Sequence, residues 1–137
     1  MKGVTSKAMV KVWTNGCFDI LHRGHIELFK YAKSLGDYLI VGVDTDEKVK
    51  KDKGSDRPIN SIDDRIVMLE SIIFIDEVVW FESTEGLENL VKKISPDAMV
   101  IGSDWRGKSV IGQEYTKELI FFDRIGSYST TNILKNN

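Results

Sequence analysis

Both histidines of this 137-residue chain fall within four residues, His22-Arg23-Gly24-His25, inside the stretch TNGCFDILHRGHIELFKYAK at 14–33. An apolar run leads in, Asn15-Gly16 turns the chain, and a helical pattern follows Gly24. Residues three apart share one side of a helix, so both imidazoles can face one small target. At a helix N-terminus that target also meets unpaired backbone N–H groups and the positive end of the helix dipole, which suits phosphate. Gly24 leaves the surface bare enough for a close approach. The same residues also read as a plain surface turn, or as half of a metal site. Zinc prefers at least three protein ligands, and no third cluster adjoins these two.

The other residues fit for chemistry are scattered. Lys51, Lys53, Arg57 and Arg65 offer cations for a second phosphate. A run such as KVKKDK is ordinarily a solvated helix end. Arg65 stands apart, one turn into a helix whose other positions are strongly apolar. Ser129-Thr130-Thr131 precede Ile133 and Leu134 and read first as a helix N-cap. Asp104 and Trp105, in GSDWRGK at 102–108, read as a turn carboxylate and a partly buried aromatic. Asp19 reads as a turn residue bonding its own backbone. Cys17 has no histidine arranged to activate it and reads as a small packing residue.

The elements that must position these groups alternate. MVKVWTNG reads as a first strand, and HIELFKYAKSLG as a helix with Ile26, Phe29, Ala32 and Leu35 on one face and Gly36 as its C-cap. YLIVGVD is the continuous apolar run of a strand buried on both sides. A helix follows from Thr45 to Lys51, then a polar stretch at 50–60, then IDDRIVMLESI behind a Ser61 N-cap. DEVVWF is a third strand. TEGLENLVKKIS is a helix closed by Ser95-Pro96. DAMVIGSD and ELIFFDR are the fourth and fifth strands, and STTNILKN a short last helix. This order predicts one α/β domain over 1–137, a Rossmann-like parallel sheet of about five strands with helices on both faces. Such sheets bind ligands beyond the carboxyl ends of their strands. The loops at 14–25, 102–112 and 124–131, which carry the sharpest motifs, all leave strands at that end.

Composition bounds the partners. Hydrophobic residues at 42% and charged residues at 29% are ordinary for a globular chain, and a formal charge of −2 gives no general pull toward nucleic acid or anionic membrane. The single cysteine excludes an internal disulfide framework and fits a reducing compartment. No apolar run reaches the length of a membrane span, so a cytoplasmic protein is expected. GCFDIL lacks the glycine spacing of a nicotinamide dehydrogenase.

TNGCFDILHRGH resembles the signature of the HxGH nucleotidyltransferase superfamily, and most closely its cytidylyltransferase-like branch. The likeness continues in order through VDTDEKVKKDKG, RPINSIDDRIVMLESIIFIDEVV, DAMVIGSDWRGK and SYSTTNIL. Two kinds of enzyme share these blocks, glycerol-3-phosphate cytidylyltransferase and the nucleotidyltransferase of ADP-heptose synthase.

The resemblance implies transfer of CMP from CTP to a small phosphorylated alcohol, with glycerol 3-phosphate leading. CDP-glycerol and pyrophosphate would form by direct in-line displacement. The alternative is an adenylyltransferase, or another nucleotidyltransferase, acting on a heptose phosphate. A nucleotide-binding module without catalysis is the third reading. By the same resemblance His22, His25, Lys53 and Arg124 are catalytic. Asn15, Gly16, Cys17, Phe18, Gly24, Gly102, Asp104, Trp105, Ser129, Thr130 and Thr131 would bind nucleotide, and Asp44, Arg65, Lys51 and Arg57 the acceptor. Mg²⁺ would ride mainly on the phosphates, with Asp19 as its protein ligand, and a homodimer is expected. Asp104-Trp105 favours the cytidylyl branch, whereas Lys53-Gly54 to Arg57-Pro58 favours the heptose branch. RIGSYSTT lacks the acidic residue and glycine that the glycerol-phosphate enzymes carry between arginine and serine.

Overall fold

The computed structural model describes residues 9–123, so Arg124, Ser129, Thr130, Thr131 and the expected last helix lie outside the described residues. The chain runs through β1 Lys11–Gly16, α1 Arg23–Ser34, β2 Tyr38–Asp44, α2 Asp46–Lys53, α3 Ile62–Glu70, β3 Glu77–Phe81, α4 Thr84–Ile94, β4 Ala98–Gly102 and β5 Glu118–Phe122. Two 3-10 turns, Ser103–Trp105 and Gln113–Tyr115, lie between β4 and β5. The strands form one sheet in the order β3-β2-β1-β4-β5, with every pairing parallel. This is the expected five-stranded α/β fold.

Alternation along the strands splits the core into two layers. Val12, Leu39, Val41, Val78 and Val100 turn to one face and meet Phe29 and Ala32 of α1 and Leu69 of α3. Trp13, Ile40, Met99 and Ile101 turn to the other and meet Leu87 and Val91 of α4. Strands covered on both faces must be apolar at successive positions, which explains the unbroken run YLIVGVD. The crossovers from β1 to β2 to β3 pack α1 and α3 on one face. The return from β3 to β4 puts α4 on the other. The strand order reverses between β1 and β4, and the crevice beyond their carboxyl ends is where such sheets take ligands.

Local signals set most helix ends. Ser61 Oγ accepts from the Asp64 N–H at 3.3 Å, and Ser83 Oγ accepts from Gly86 at 3.0 Å. Helix α4 closes at Ser95 in the left-handed region, φ 46°, just before Pro96. Gly36 corrects an expectation. Leu35 is the C-cap of α1, with a right-handed φ of −85°. Gly36 is small for a tertiary reason, because a Cβ there would stand 2.7 Å from the carbonyl oxygen of Val10. Gly36→Ala should therefore cost about 1–3 kcal/mol by overpacking. The check is a lowered urea midpoint with an unchanged slope. No helix among the described residues is long and apolar enough to cross a membrane.

Candidate active site

The loop between β1 and α1 turns sharply at Phe18, whose φ of 50° is unusual for a residue with a side chain. The turn buries the Phe18 ring against Phe29, with the edge of His25 5.4 Å away. His22 is the N-cap of α1, and the two histidines cap one another. His22 Nδ1 accepts from the Gly24 N–H at 3.1 Å, and His25 Nδ1 accepts from the His22 N–H at 3.2 Å. This is a capping box in which imidazoles replace the usual hydroxyl and carboxylate. The rings stack with centroids 3.8 Å apart. Burial, and then the neighbouring His22, push the His25 pKa down to about 4, so this ring is neutral at pH 7. With Nδ1 accepting, the neutral ring carries its proton on Nε2. What His25 can offer a ligand is an N–H donor.

Beyond the carboxyl ends of β1, β2 and β4 lies a cleft of about 720 Å³. Its floor is the upper edge of the α4-side core, Phe81, Leu87, Ile101 and Val110. Eight of the residues expected from sequence line it: Asn15, Gly16, Cys17, Asp44, Lys53, Gly102, Asp104 and Trp105. Burial raises the pKa of the Cys17 thiol, which suits a packing residue better than a nucleophile. His22, His25, Gly24 and Phe18 belong to the adjoining α1 junction and do not line the cleft.

Three residues expected to meet ligands, Asp19, Arg57 and Arg65, are bonded to the protein. Asp19, 1% exposed, accepts from the Asn60 N–H at 2.8 Å with one oxygen. Its other oxygen takes the Ile59 N–H at 2.8 Å and Arg57 Nε at 3.0 Å. Burial alone would raise its pKa, but these donors outweigh burial and hold the carboxyl below the usual range. Asp19 thus pins the loop at 57–60, and Arg57 gives its Nε–H to the same anchor. A carboxylate so occupied does not fit a protein-held Mg²⁺. Among the described residues, no group of three or more His, Cys, Asp or Glu is placed to hold a metal.

Arg65 is also 1% exposed. Its Nη1 donates to the carbonyls of Cys17 at 2.9 Å and Asp44 at 2.8 Å, and its Nε donates to Asn60 O at 3.1 Å. Its Nη2 meets the Asp46 carboxylate at 2.7 Å. The expectation that Arg65 grips the acceptor is corrected by this geometry, because a guanidinium buried against four protein acceptors has almost nothing left for a ligand. Arg65 ties the ends of β1 and β2 to the 57–60 loop. Lys51, on the exposed side of α2, lies outside the cleft lining.

Sequence reading missed one wall. Lys48 Nζ stands 3.7 Å from Asp44 and 2.7 Å from Asp52, and packs over the Phe81 ring at 5.7 Å. Burial raises the pKa of Asp44, with Lys48 pulling the other way. Burial would lower the Lys48 pKa, but the two carboxylates raise it on balance. Lys48, Asp52, Thr84 and Ser109 all face the cleft. The i, i+4 spacing of Asp44, Lys48 and Asp52 was the available signal.

A cytidylyltransferase-like family profile matches residues 13–133, nearly the whole chain. The chain belongs to the cytidylyltransferase-like family of nucleotidyltransferases. This member is 48% identical over 124 residues to the bifunctional protein HldE of Campylobacter concisus, covering 90% of this chain and 26% of the relative. It is 47% identical to the HldE of Helicobacter hepaticus over the same shares. The chain thus spans about a quarter of the length of these relatives. Among solved structures it resembles a lipopolysaccharide core biosynthesis protein from Thermoplasma volcanium, with a TM-score of 0.67 at 27% identity. That likeness covers 89% of this chain and 100% of the other. A pantothenate synthetase from Thermus thermophilus shares the fold, with a TM-score of 0.63 at 14% identity over 93% of this chain and 62% of its own.

Proposed function

We propose that this cytidylyltransferase-like chain activates a heptose phosphate, joining it to a nucleoside monophosphate taken from a triphosphate. The observation that supports transfer chemistry is the reciprocally capped histidine pair at the start of α1, where the two rings stack, each Nδ1 accepts a backbone N–H of the first turn, and the neutral His25 keeps its Nε2–H as a donor beside a helix N-terminus. An oxygen of the acceptor phosphate attacks the α-phosphorus. The bond from that phosphorus to the bridging oxygen breaks, and pyrophosphate leaves with the electron pair. Negative charge builds on the α-phosphoryl and leaving oxygens, where neutral N–H donors help most. Lys53 in the cleft is the cation for the acceptor phosphate. The Asp44–Lys48–Asp52 wall supplies both acceptors and a donor for sugar hydroxyls.

The heptose reading is supported by the likeness to the bifunctional protein HldE and by the Lys53-Gly54 to Arg57-Pro58 segment, which resembles the heptose branch. One observation favours the second reading, CTP with glycerol 3-phosphate. Trp105, of the Asp104-Trp105 pair, stands on the cleft wall beside Gly102. The exposed apolar surface of Val67, Ile73 and Trp80 supports a homodimer.

The deciding experiment is a panel of four nucleoside triphosphates against heptose, polyol and other sugar phosphates, read by pyrophosphate release. Turnover with ATP and a heptose 1-phosphate is expected. Release only with CTP and glycerol 3-phosphate would transfer the assignment to the second reading. Nucleotide binding without release from any pair would leave a non-catalytic module.

A further inference from the structure

Trp13 and Asn15 stand two apart on β1, so their side chains share one face of the sheet. That face is the α4 side, where Trp13 is fully buried among Phe81, Leu87, Met99 and Ile101. Asn15 lies one pleat further along, at the strand's carboxyl end, where the core gives way to the cleft. The indole Nε1–H of Trp13 meets Asn15 Oδ1 at 2.8 Å.

An indole nitrogen only donates, so the atom facing it must be the carboxamide oxygen. The usual ambiguity between the two ends of an asparagine side chain is thereby removed. A buried indole N–H also needs an acceptor, since leaving it unmade carries the full desolvation penalty. Gly42 on the adjacent strand makes room for the indole, because a Cβ there would come within 2.6 Å of the ring. The tryptophan is thus held on one side by the sheet and has one place to send its hydrogen bond.

We infer that Trp13 is a positioning residue. Its indole N–H holds the oxygen of Asn15 toward the core, so that Asn15 presents its NH₂ to the cleft and donates to an anionic phosphoryl oxygen of the substrate. The inference rests on the transfer reading for the identity of that oxygen, though the pairing of the two side chains does not depend on it. The orientation matters because the opposite rotamer would turn a carbonyl oxygen toward phosphate. In the cleft that oxygen would repel the same group the NH₂ attracts. Locking the carboxamide from below removes the wrong rotamer before substrate arrives, a form of preorganisation.

The test compares pyrophosphate release by the wild type, Trp13→Phe, Asn15→Ala, Asn15→Asp and the double variant Trp13→Phe with Asn15→Ala. Asn15→Asp keeps an acceptor for the indole but turns a carboxylate to the cleft. It should melt near the wild type while kcat/KM drops about 100-fold, as like charges meet. Trp13→Phe should lose about tenfold where Asn15 is present, the scale of one aimed hydrogen bond, and almost nothing where residue 15 is alanine. Equal losses in both backgrounds would mean that the tryptophan only supports the fold. Wild-type kcat/KM in Asn15→Asp would overturn the donor role.

A second measurement needs no turnover. In ¹⁵N-labelled protein the Trp13 indole proton should exchange slowly, and faster in Asn15→Ala. Adding ATP or CTP should move the Asn15 NH₂ signals in the wild type. If no substrate pair releases pyrophosphate, the transfer reading fails while this measurement still decides the pairing. Unchanged indole exchange in Asn15→Ala would end it.

Discussion

His25→Gln should fold like the wild type and lose about 10²–10³ in kcat, the cost of removing one preorganised donor from a developing oxyanion. Glutamine is the natural N3 partner of a capping box, so its carbonyl oxygen can take over the His22 N–H now bonded to His25 Nδ1 at 3.2 Å. The substitution keeps the helix start and removes the Nε2–H. A fall in kcat with little change in KM would mark an interaction made mainly in the transition state. Unaltered kcat would remove the imidazole from the chemistry and with it the proposed mechanism.

The same substitution should change acid stability. Folding lowers the His25 pKa from its ordinary 6.5 to about 4, chiefly by burial. Between those values the unfolded chain binds a proton that the folded chain refuses, so stability falls as the pH drops. The contribution is complete above about pH 6.5 and is lost as the pH falls toward 4. From pH 7 to pH 5 the wild type should lose up to about 2 kcal/mol through this residue. His25→Gln should lack that part of the decline. Urea titrations of both proteins at the two pH values read the difference. An identical pH dependence would show that His25 is not held neutral.

Arg65→Met should be the most destabilising single change in the site, costing about 3–5 kcal/mol, because it strands buried partners of a charged group. The carbonyls of Cys17, Asp44 and Asn60 lose their donor together, and Asp46 loses its cation. For a chain of this size the melting temperature should drop by roughly 10–20 °C. Arg65→Lys should recover only part of this, since one ammonium cannot span three backbone segments in the guanidinium's plane. At a temperature where Arg65→Lys stays folded, the acceptor and nucleotide KM values should shift together as the cleft loosens. An unchanged melting temperature with a selective rise in the acceptor KM would instead make Arg65 a ligand contact.

The elements were legible because their signals are local. Apolar runs of five to seven residues, a serine or threonine ahead of a helix and a proline after one need no distant partner to act. The place of the cleft was legible too, since alternating strands and helices leave a crevice beyond the carboxyl ends of the strands, and residues of the loops at 14–25 and 102–112 line it. Roles within the site were harder. Asp19 carries the chemistry of a metal ligand in sequence, and only the return of residues 57–60 onto the loop after β1 shows that its oxygens are taken. Lys48 read as part of a solvated run, because the Phe81 ring that it covers comes from a strand more than thirty residues on.

By itself, then, the sequence determined the order of elements, the parallel sheet and the histidine pair at a helix start, all set by periodicity and capping within a few residues. Tertiary structure decided which charges face the cleft and which hold it together. It also made His25 neutral and turned the Asn15 carboxamide toward the indole. The physical reason is common to all of these: hydrogen-bond direction and desolvation depend on what is packed against a group, and for these residues much of that packing comes from far along the chain.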